Sequence, residues 1–155
     1  MSKKLALIAS KGSLDWAYPP FILASTAAAL DYDVQIFFTF YGLALLKKDL
    51  SDLKVSPLGN PAMPMPVSMP NFAQMLPGME SMATLMMKQK IASKGVASIE
   101  ELRTTCIESG VKLIACQMTV DLFDFKASDF IDDIEYGGAA TFFEFAGESD
   151  VNLFI

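Results

Sequence analysis

Three short, nearly unbroken apolar runs constrain this chain more than any other feature. Lys4 to Ser10, Val34 to Phe40 and Val111 to Cys116 are each short for a helix and alternate too little for a strand with one wet face. Runs of this kind suit strands buried on both faces, as in the interior of a parallel sheet. Helical signals fill the intervals. Gly12 and Ser13 break the first run, and Pro19 and Pro20 then precede an Ala-rich segment through Leu30, read as a helix with proline confined to its first turn. Ser98 and Glu101 have capping-box spacing, Ile99 and Leu102 follow, and Gly110 closes that element. Ile134 to Tyr136 and Val151 to Ile155 read as two further short strands. The alternation predicts an α/β fold, an open, mostly parallel sheet of about five strands with helices on both faces.

The remaining segments are less regular. Tyr41 to Asp49 reads as a short helix and Leu53 to Gly59 as extended chain or loop. The stretch at about 60–78 carries Pro61, Pro64, Pro66, Pro70 and Pro77 among Met63, Met65, Met69 and Met75, a proline density that rules out a regular helix or inner strand. It reads as a long connection lying against a partner or serving function. From Met79 to Ser93 helical period returns, with Met79, Met82, Ala83, Met86, Met87 and Ile91 on one face, Thr84, Lys88 and Lys94 opposite, and Gly95 at the end. Thr119 is read as the cap of a short helix and Ser128 as a cap in the turn Lys126 to Ile131; Gly137 and Gly138 open a helix running to about Gly147. No repeat is present, and the whole of 1–155 reads as a single domain.

Composition removes several classes of chemistry. The chain has no histidine, which excludes Ser-His-Asp and Cys-His mechanisms, His-ligated zinc and a His proton shuttle. Its 2 cysteines cannot build a four-cysteine zinc or iron–sulfur site within one chain, and no metal or cofactor is expected. The methionines invite a Cu(I) reading, but helix-spaced Met is usually core or interface filler. A net charge of −6 argues against nucleic acid as a partner. No apolar run approaches the length of about 20 residues needed for a transmembrane helix. The N-terminal apolar stretch is interrupted by Lys11, Gly12 and Asp15, so a strand is read there rather than a signal peptide, and the protein is expected in the cytoplasm with free thiols. An apolar content of 52 % leaves enough surface to fill a core and cover a subunit interface, so a homo-oligomer is expected.

In open α/β sheets, sites form beyond the carboxyl ends of the strands. Cys116 ends the third run, with Gln117, Met118 and Thr119 turning into the next helix. A thiol there meets a helix start and free N–H groups, which favour the thiolate, the nucleophilic form. A buried structural cysteine fits the same position. Cys106 lies four residues after Leu102 on the apolar face of its helix and reads as core, with a second thiol meeting Cys116 as the alternative. Lys11, Gly12 and Ser13 follow the first strand, where Gly12 permits close backbone approach and Ser13 offers a hydroxyl beside a helix start suited to an anion; an ordinary turn fits equally. They form neither a dinucleotide fingerprint nor a P-loop. Tyr41, Gln117 and Thr119 complete the candidate lining of the cleft. Asp129, Asp132, Asp133 and Glu135 read as solvated surface.

The chain also resembles the DsrE/DsrF-like family, in the DsrE-like branch often termed peroxiredoxin-like. The resemblance is carried by Leu5 to Trp16 with Ala17-Tyr18-Pro19-Pro20, Phe37 to Gly42, Pro57 to Pro64, Leu76 to Met79, Ile114 to Met118, Gly137 to Ala140 and Val151 to Ile155. It implies a three-layer α/β/α fold, homo- or mixed oligomers, and cytoplasmic sulfur relay with TusA-like or rhodanese-like carriers. By its place at a strand end, Cys116 would be the sulfur-carrying cysteine. A peroxidatic Thr-x-x-Cys context with an assisting arginine is absent. The expected function is therefore a sulfur carrier or sulfurtransferase-like protein holding sulfane sulfur on Cys116. The rivals are a non-catalytic small-molecule or partner-binding module, and a thiol redox sensor whose Cys106–Cys116 disulfide would require Cα atoms within about 7 Å.

Overall fold

The structure, a computed structural model, describes residues 1–56, 72 and 76–155. The proline- and methionine-rich connection expected at about 60–78 lies outside the described residues except at its end. The described elements are β1 (Lys4–Ala9), α1 (Leu14–Ala29), β2 (Asp33–Phe38), a 3-10 helix (Phe40–Leu46), α2 (Met79–Ser93), α3 (Ile99–Glu108), β3 (Lys112–Cys116), α4 (Gln117–Leu122), a 3-10 turn (Ala127–Asp129), β4 (Glu135–Gly137), α5 (Ala139–Ala146) and β5 (Val151–Phe154). The strands form one sheet in the order β4-β3-β2-β1-β5, and every pairing is parallel.

The apolar runs become inner strands because they have side chains to bury on both faces. Leu5, Leu7 and Ala9 of β1, Val34, Ile36 and Phe38 of β2, and Leu113 and Ala115 of β3 enter the main core beneath α1 and α3. The alternate residues Phe37, Ile114 and Cys116 form a smaller cluster on the opposite face, covered by Phe142 of α5. Helix layers thus lie on both sides of the sheet. The connection from β4 at one edge to β5 at the other runs through α5, on the face away from α1. The edge strands are short, and all of β5 is exposed in the isolated chain.

Several local expectations are corrected. Helix α1 begins at Leu14, so Pro19 and Pro20 lie in its interior rather than its first turn. Each removes an N–H that would bond the carbonyl four residues earlier, yet Pro20 and Phe21 are buried in the helix. Tertiary burial therefore overrides the local break. Thr119 does not cap α4: Cys116 is the N-cap, and Thr119 lies inside the helix. Lys126 precedes the 3-10 turn and Ser128 lies within it, while the Lys126 N–H donates to the Asp129 carboxylate at 2.8 Å. Gly137 ends β4, and Gly138 caps α5. On α2 the buried positions are Ala83 and Thr84, whereas Met82, Leu85 and Met86 are exposed. The Thr84 hydroxyl donates to the Glu80 carbonyl and accepts the Val55 N–H at 3.1 Å, which lets a polar side chain occupy the inner face.

The capping box at α3 forms as expected: Ser98 Oγ accepts the Glu101 N–H, and the Glu101 carboxylate accepts the Ser98 N–H at 2.7 Å. Among the described residues, no helix is long and apolar enough to cross a membrane.

Candidate functional site

The carboxyl ends of β1, β2 and β3 meet through their following segments. The 3-10 helix after β2 lies across the end of β1: a Cβ on Gly42 would collide with the Ala9 carbonyl oxygen, and one on Gly12 with the Tyr41 carbonyl oxygen. Close approach at Gly12 thus serves contact between two loops of the chain. Phe40 enters the 3-10 helix at φ 48°, in the left-handed region where a bulky L-residue is strained. Arg103, buried on α3, donates through one nitrogen to the carbonyls of Leu45 at 2.9 Å and Lys47 at 2.6 Å, fixing the far end of the 3-10 helix. Burial lowers its pKa, opposed by the nearby Glu100 charge.

Cys116 closes β3 opposite Gly137 of β4, with its side chain on the face of Ile114 and Phe37. It is 5 % exposed. Burial pushes the thiol pKa up, but the Thr119 hydroxyl and N–H, the Thr39 hydroxyl and the Met118 N–H provide hydrogen bonds, and the net result lies below the ordinary value of 9.0. Cys116 is the N-cap residue of α4, although its side chain makes no cap hydrogen bond. Thr119, three residues on, is fully buried; its oxygen lies 3.3 Å from Thr39 Oγ and accepts the Phe40 N–H at 3.2 Å.

Cys106 is set apart from this arrangement. It is fully buried in the main core with Ala115 and Leu113, on the opposite face of the sheet from Cys116. Its Sγ donates to the Phe21 carbonyl at 3.4 Å, and burial pushes its pKa up to about 12, far from a nucleophilic thiol.

A cleft of about 940 Å³ opens beside the β1 and β2 ends. Lys11, Gly12, Ser13 and Tyr41 line it, together with Trp16, Phe40, Lys47, Lys54, Phe123 and Phe125. Its wall is an aromatic cluster in which Tyr41 and Phe123 stack with centroids 6.0 Å apart and Phe40 meets Phe123 edge-on at 6.2 Å. Lys11 Nζ lies 3.4 Å from the Trp16 ring centroid and Lys47 Nζ 5.2 Å from that of Phe125. The anion site expected at Ser13 is taken by the chain itself: Ser13 Oγ lies 3.0 Å from Ser56 Oγ, and Asp15 accepts the Ser56 N–H at 2.7 Å. Burial raises the Asp15 pKa, but hydrogen bonds from Ser56 and Ser13 bring it below the usual value.

Neither Cys116, Gln117 nor Thr119 is among the described lining. Gln117 is exposed and donates to Asp121 at 2.8 Å, while Thr119 is buried behind Phe40. Sequence reasoning missed Thr39, Phe40 and the aromatic wall. The one available cue was the aromatic pair Phe123 and Phe125 flanking Asp124, itself at φ 53°. No group of acidic, cysteine or histidine side chains suited to a metal occurs among the described residues.

Comparison with known proteins gives this arrangement its context. The chain matches the DsrE/DsrF/DrsH-like family over residues 1–154. It is 69 % identical over 157 residues to the sulfur carrier protein DsrE2 of Allochromatium vinosum, covering 99 % of this chain and 98 % of that one. It is 36 % identical over 163 residues to the uncharacterized protein YrkE of Bacillus subtilis, again covering 99 % and 98 %. Among solved structures, the ychN protein from E. coli superposes with a TM-score of 0.55 at 12 % identity, each chain covered in full at 100 %. A protein of unknown function from Methanobacterium thermoautotrophicum gives 0.55 at 9 % identity, covering 98 % of this chain and 99 % of that one. These two structures speak for the fold alone, whereas the sequence matches run almost from end to end: the chain belongs to the DsrE/DsrF/DrsH-like family.

Proposed function

We propose that this protein is a sulfur carrier that holds sulfane sulfur on Cys116. The observation that carries the reading is the thiol itself, at the end of β3 and the start of α4, 5 % exposed and with a pKa below the ordinary value. The 69 % identity to a protein named as a sulfur carrier supports it. In the loading step the Cys116 thiolate attacks the terminal sulfur of a persulfide or polysulfide donor. A new S–S bond forms on Cys116, the donor's S–S bond breaks, and the electron pair leaves on the donor thiolate. Sulfur moves without net oxidation or reduction, and a partner thiolate removes it by the same exchange. Histidine is absent, so no imidazole takes the Cys116 proton. The proposal includes a cytoplasmic location, a homo-oligomer, and TusA-like or rhodanese-like carriers as exchange partners.

The test is intact-protein mass spectrometry after incubation with inorganic polysulfide. Wild type should gain sulfur that a reductant removes, and Cys116→Ser should gain none. Full loading of Cys116→Ser, or no loading of wild type, overturns the reading. A second reading has one observation in its favour: the aromatic cleft of about 940 Å³, of a size that holds a small molecule or a partner's side chains. A protein that ignores polysulfide while a small molecule quenches Trp16, the single tryptophan, on the cleft wall would favour it.

A further inference from the structure

The cleft beside the β1 and β2 ends divides by charge. The loop after β1 with the first turn of α1, the 3-10 helix with the residue that follows it, and the segment after α4 supply Lys11, Lys47 and every aromatic side chain of the described lining. They supply no carboxylate. Asp49, Asp52 and Glu80 come instead from the chain beyond the 3-10 helix and from α2, together with Lys54. There Glu80 lies 3.5 Å from Lys54, and the Asp49 carboxylate accepts the Ser51 N–H at 2.8 Å. Among the described residues neither Lys11 nor Lys47 is in an ion pair. The rest of the chain, 57–71 and 73–75, contains no charged residue that could supply one.

Both ammonium groups rest on rings, Lys11 Nζ 3.4 Å from the Trp16 centroid and Lys47 Nζ 5.2 Å from that of Phe125. A ring face attracts an ammonium but leaves the N–H groups pointing away from it without an acceptor. Bare aromatic surface adjoins these donors: Tyr41 is 70 % and Phe123 37 % exposed, although the two stack on each other. Exposed apolar surface of this kind, gathered in a concave site with a few charged groups, is how small-molecule sites are built. Aromatic walls alone would also suit a cation, but two ammonium groups on the same wall repel one. We propose that the cleft binds a small aromatic anion, a flat ring carrying a sulfonate, carboxylate or phosphate group. The ring packs on Tyr41 and Phe123, and the anionic group faces Lys11 and Lys47. The inference goes beyond the sulfur-carrier reading and stands without it, since Cys116 is not among the described lining.

The probe is naphthalene-2-sulfonate, titrated into the nitrogen-15-labelled full chain and followed by NMR. Trp16 is the single tryptophan, so one indole N–H resonance reports on the cleft wall. That resonance should shift with a half-saturation below about 1 mM. Lys11→Gln and Lys47→Gln should each weaken binding about threefold, the scale of one exposed ion pair. Tyr41→Ala should weaken it about fivefold or more, the scale of ring stacking. The neutral analogue 2-naphthol should bind about tenfold more weakly than the sulfonate, having lost both lysine contacts. Lys48→Gln, exposed and outside the described lining, and Cys116→Ser should both bind as wild type does.

An indole resonance unmoved up to about 10 mM overturns the proposal. So does equal affinity for 2-naphthol, unchanged affinity in a Lys11→Gln, Lys47→Gln double variant, or an equal loss in Lys48→Gln, which would mark a general charge effect. The lysine variants keep the fold in place: Lys11 is exposed, and Lys47 meets Arg103 through its backbone carbonyl, which any side chain leaves intact. Loss of probe binding with polysulfide loading intact overturns the cleft proposal alone, and failed loading with probe binding intact overturns the carrier reading alone.

Discussion

The α-carbon of Gly12 packs directly against the carbonyl oxygen of Tyr41, leaving no room for a Cβ. This contact joins the loop after β1 to the 3-10 helix after β2, and both residues line the cleft. Gly12→Ala should cost about 2 kcal/mol, the usual penalty for overpacking against backbone that cannot move freely. Urea unfolding followed by circular dichroism would read it as a lower midpoint with an unchanged slope.

Arg103 holds the other end of the same 3-10 helix by donating to the carbonyls of Leu45 and Lys47. Arg103→Met keeps much of the apolar stem but leaves both carbonyls without this donor. The expected loss is about 2 to 4 kcal/mol, since hydrogen bonds from a charged donor are the stronger kind and orphaned acceptors are costly. The cleft should loosen as well, seen as faster hydrogen exchange of the Lys47 amide, which donates to the Ala44 carbonyl.

Cys106 links stability to alkaline pH. Its folded pKa, about 12, lies above the ordinary value of 9.0, so between these values the folded state keeps a proton that the unfolded state has lost. The corresponding stability is complete below pH 9 and is lost as pH rises towards 12, by about 1.4 kcal/mol for each unit. Cys106→Ala should show a shallower decline across that window than wild type when both are unfolded with urea at a series of pH values. Equal slopes would contradict the burial-driven shift.

The capping box of α3 offers a local test. Ser98→Ala removes the acceptor of the Glu101 N–H and should cost about 1 kcal/mol. Because α3 packs on α1 and carries Cys106, the thermal midpoint should fall by several degrees while the rate of sulfur loading at Cys116 stays within twofold of wild type.

The sequence by itself determined the strand-helix alternation, the parallel sheet and the placing of Cys116 at a strand end. These are local properties: a run such as Val111 to Ala115 is apolar at every position but Lys112, and only a strand buried on both faces satisfies it. The α3 capping box was legible for the same reason, because both partners lie within one turn.

The start of α1 was not legible. Pro19 and Pro20 argue locally against a helix interior, and burial beneath the sheet outweighs them. Nor could the helical period of α2 reveal that Thr84 faces inward, since its acceptor role is completed by Val55, 29 residues earlier. Only the tertiary structure decided the site. Strand alternation turned Cys116 to one face and left Cys106 beneath the other. The parallel pairing of β2 with β3 then brought Thr39 to Thr119 across 80 residues of chain. Such contacts depend on strand order and register, which no local pattern of residues encodes.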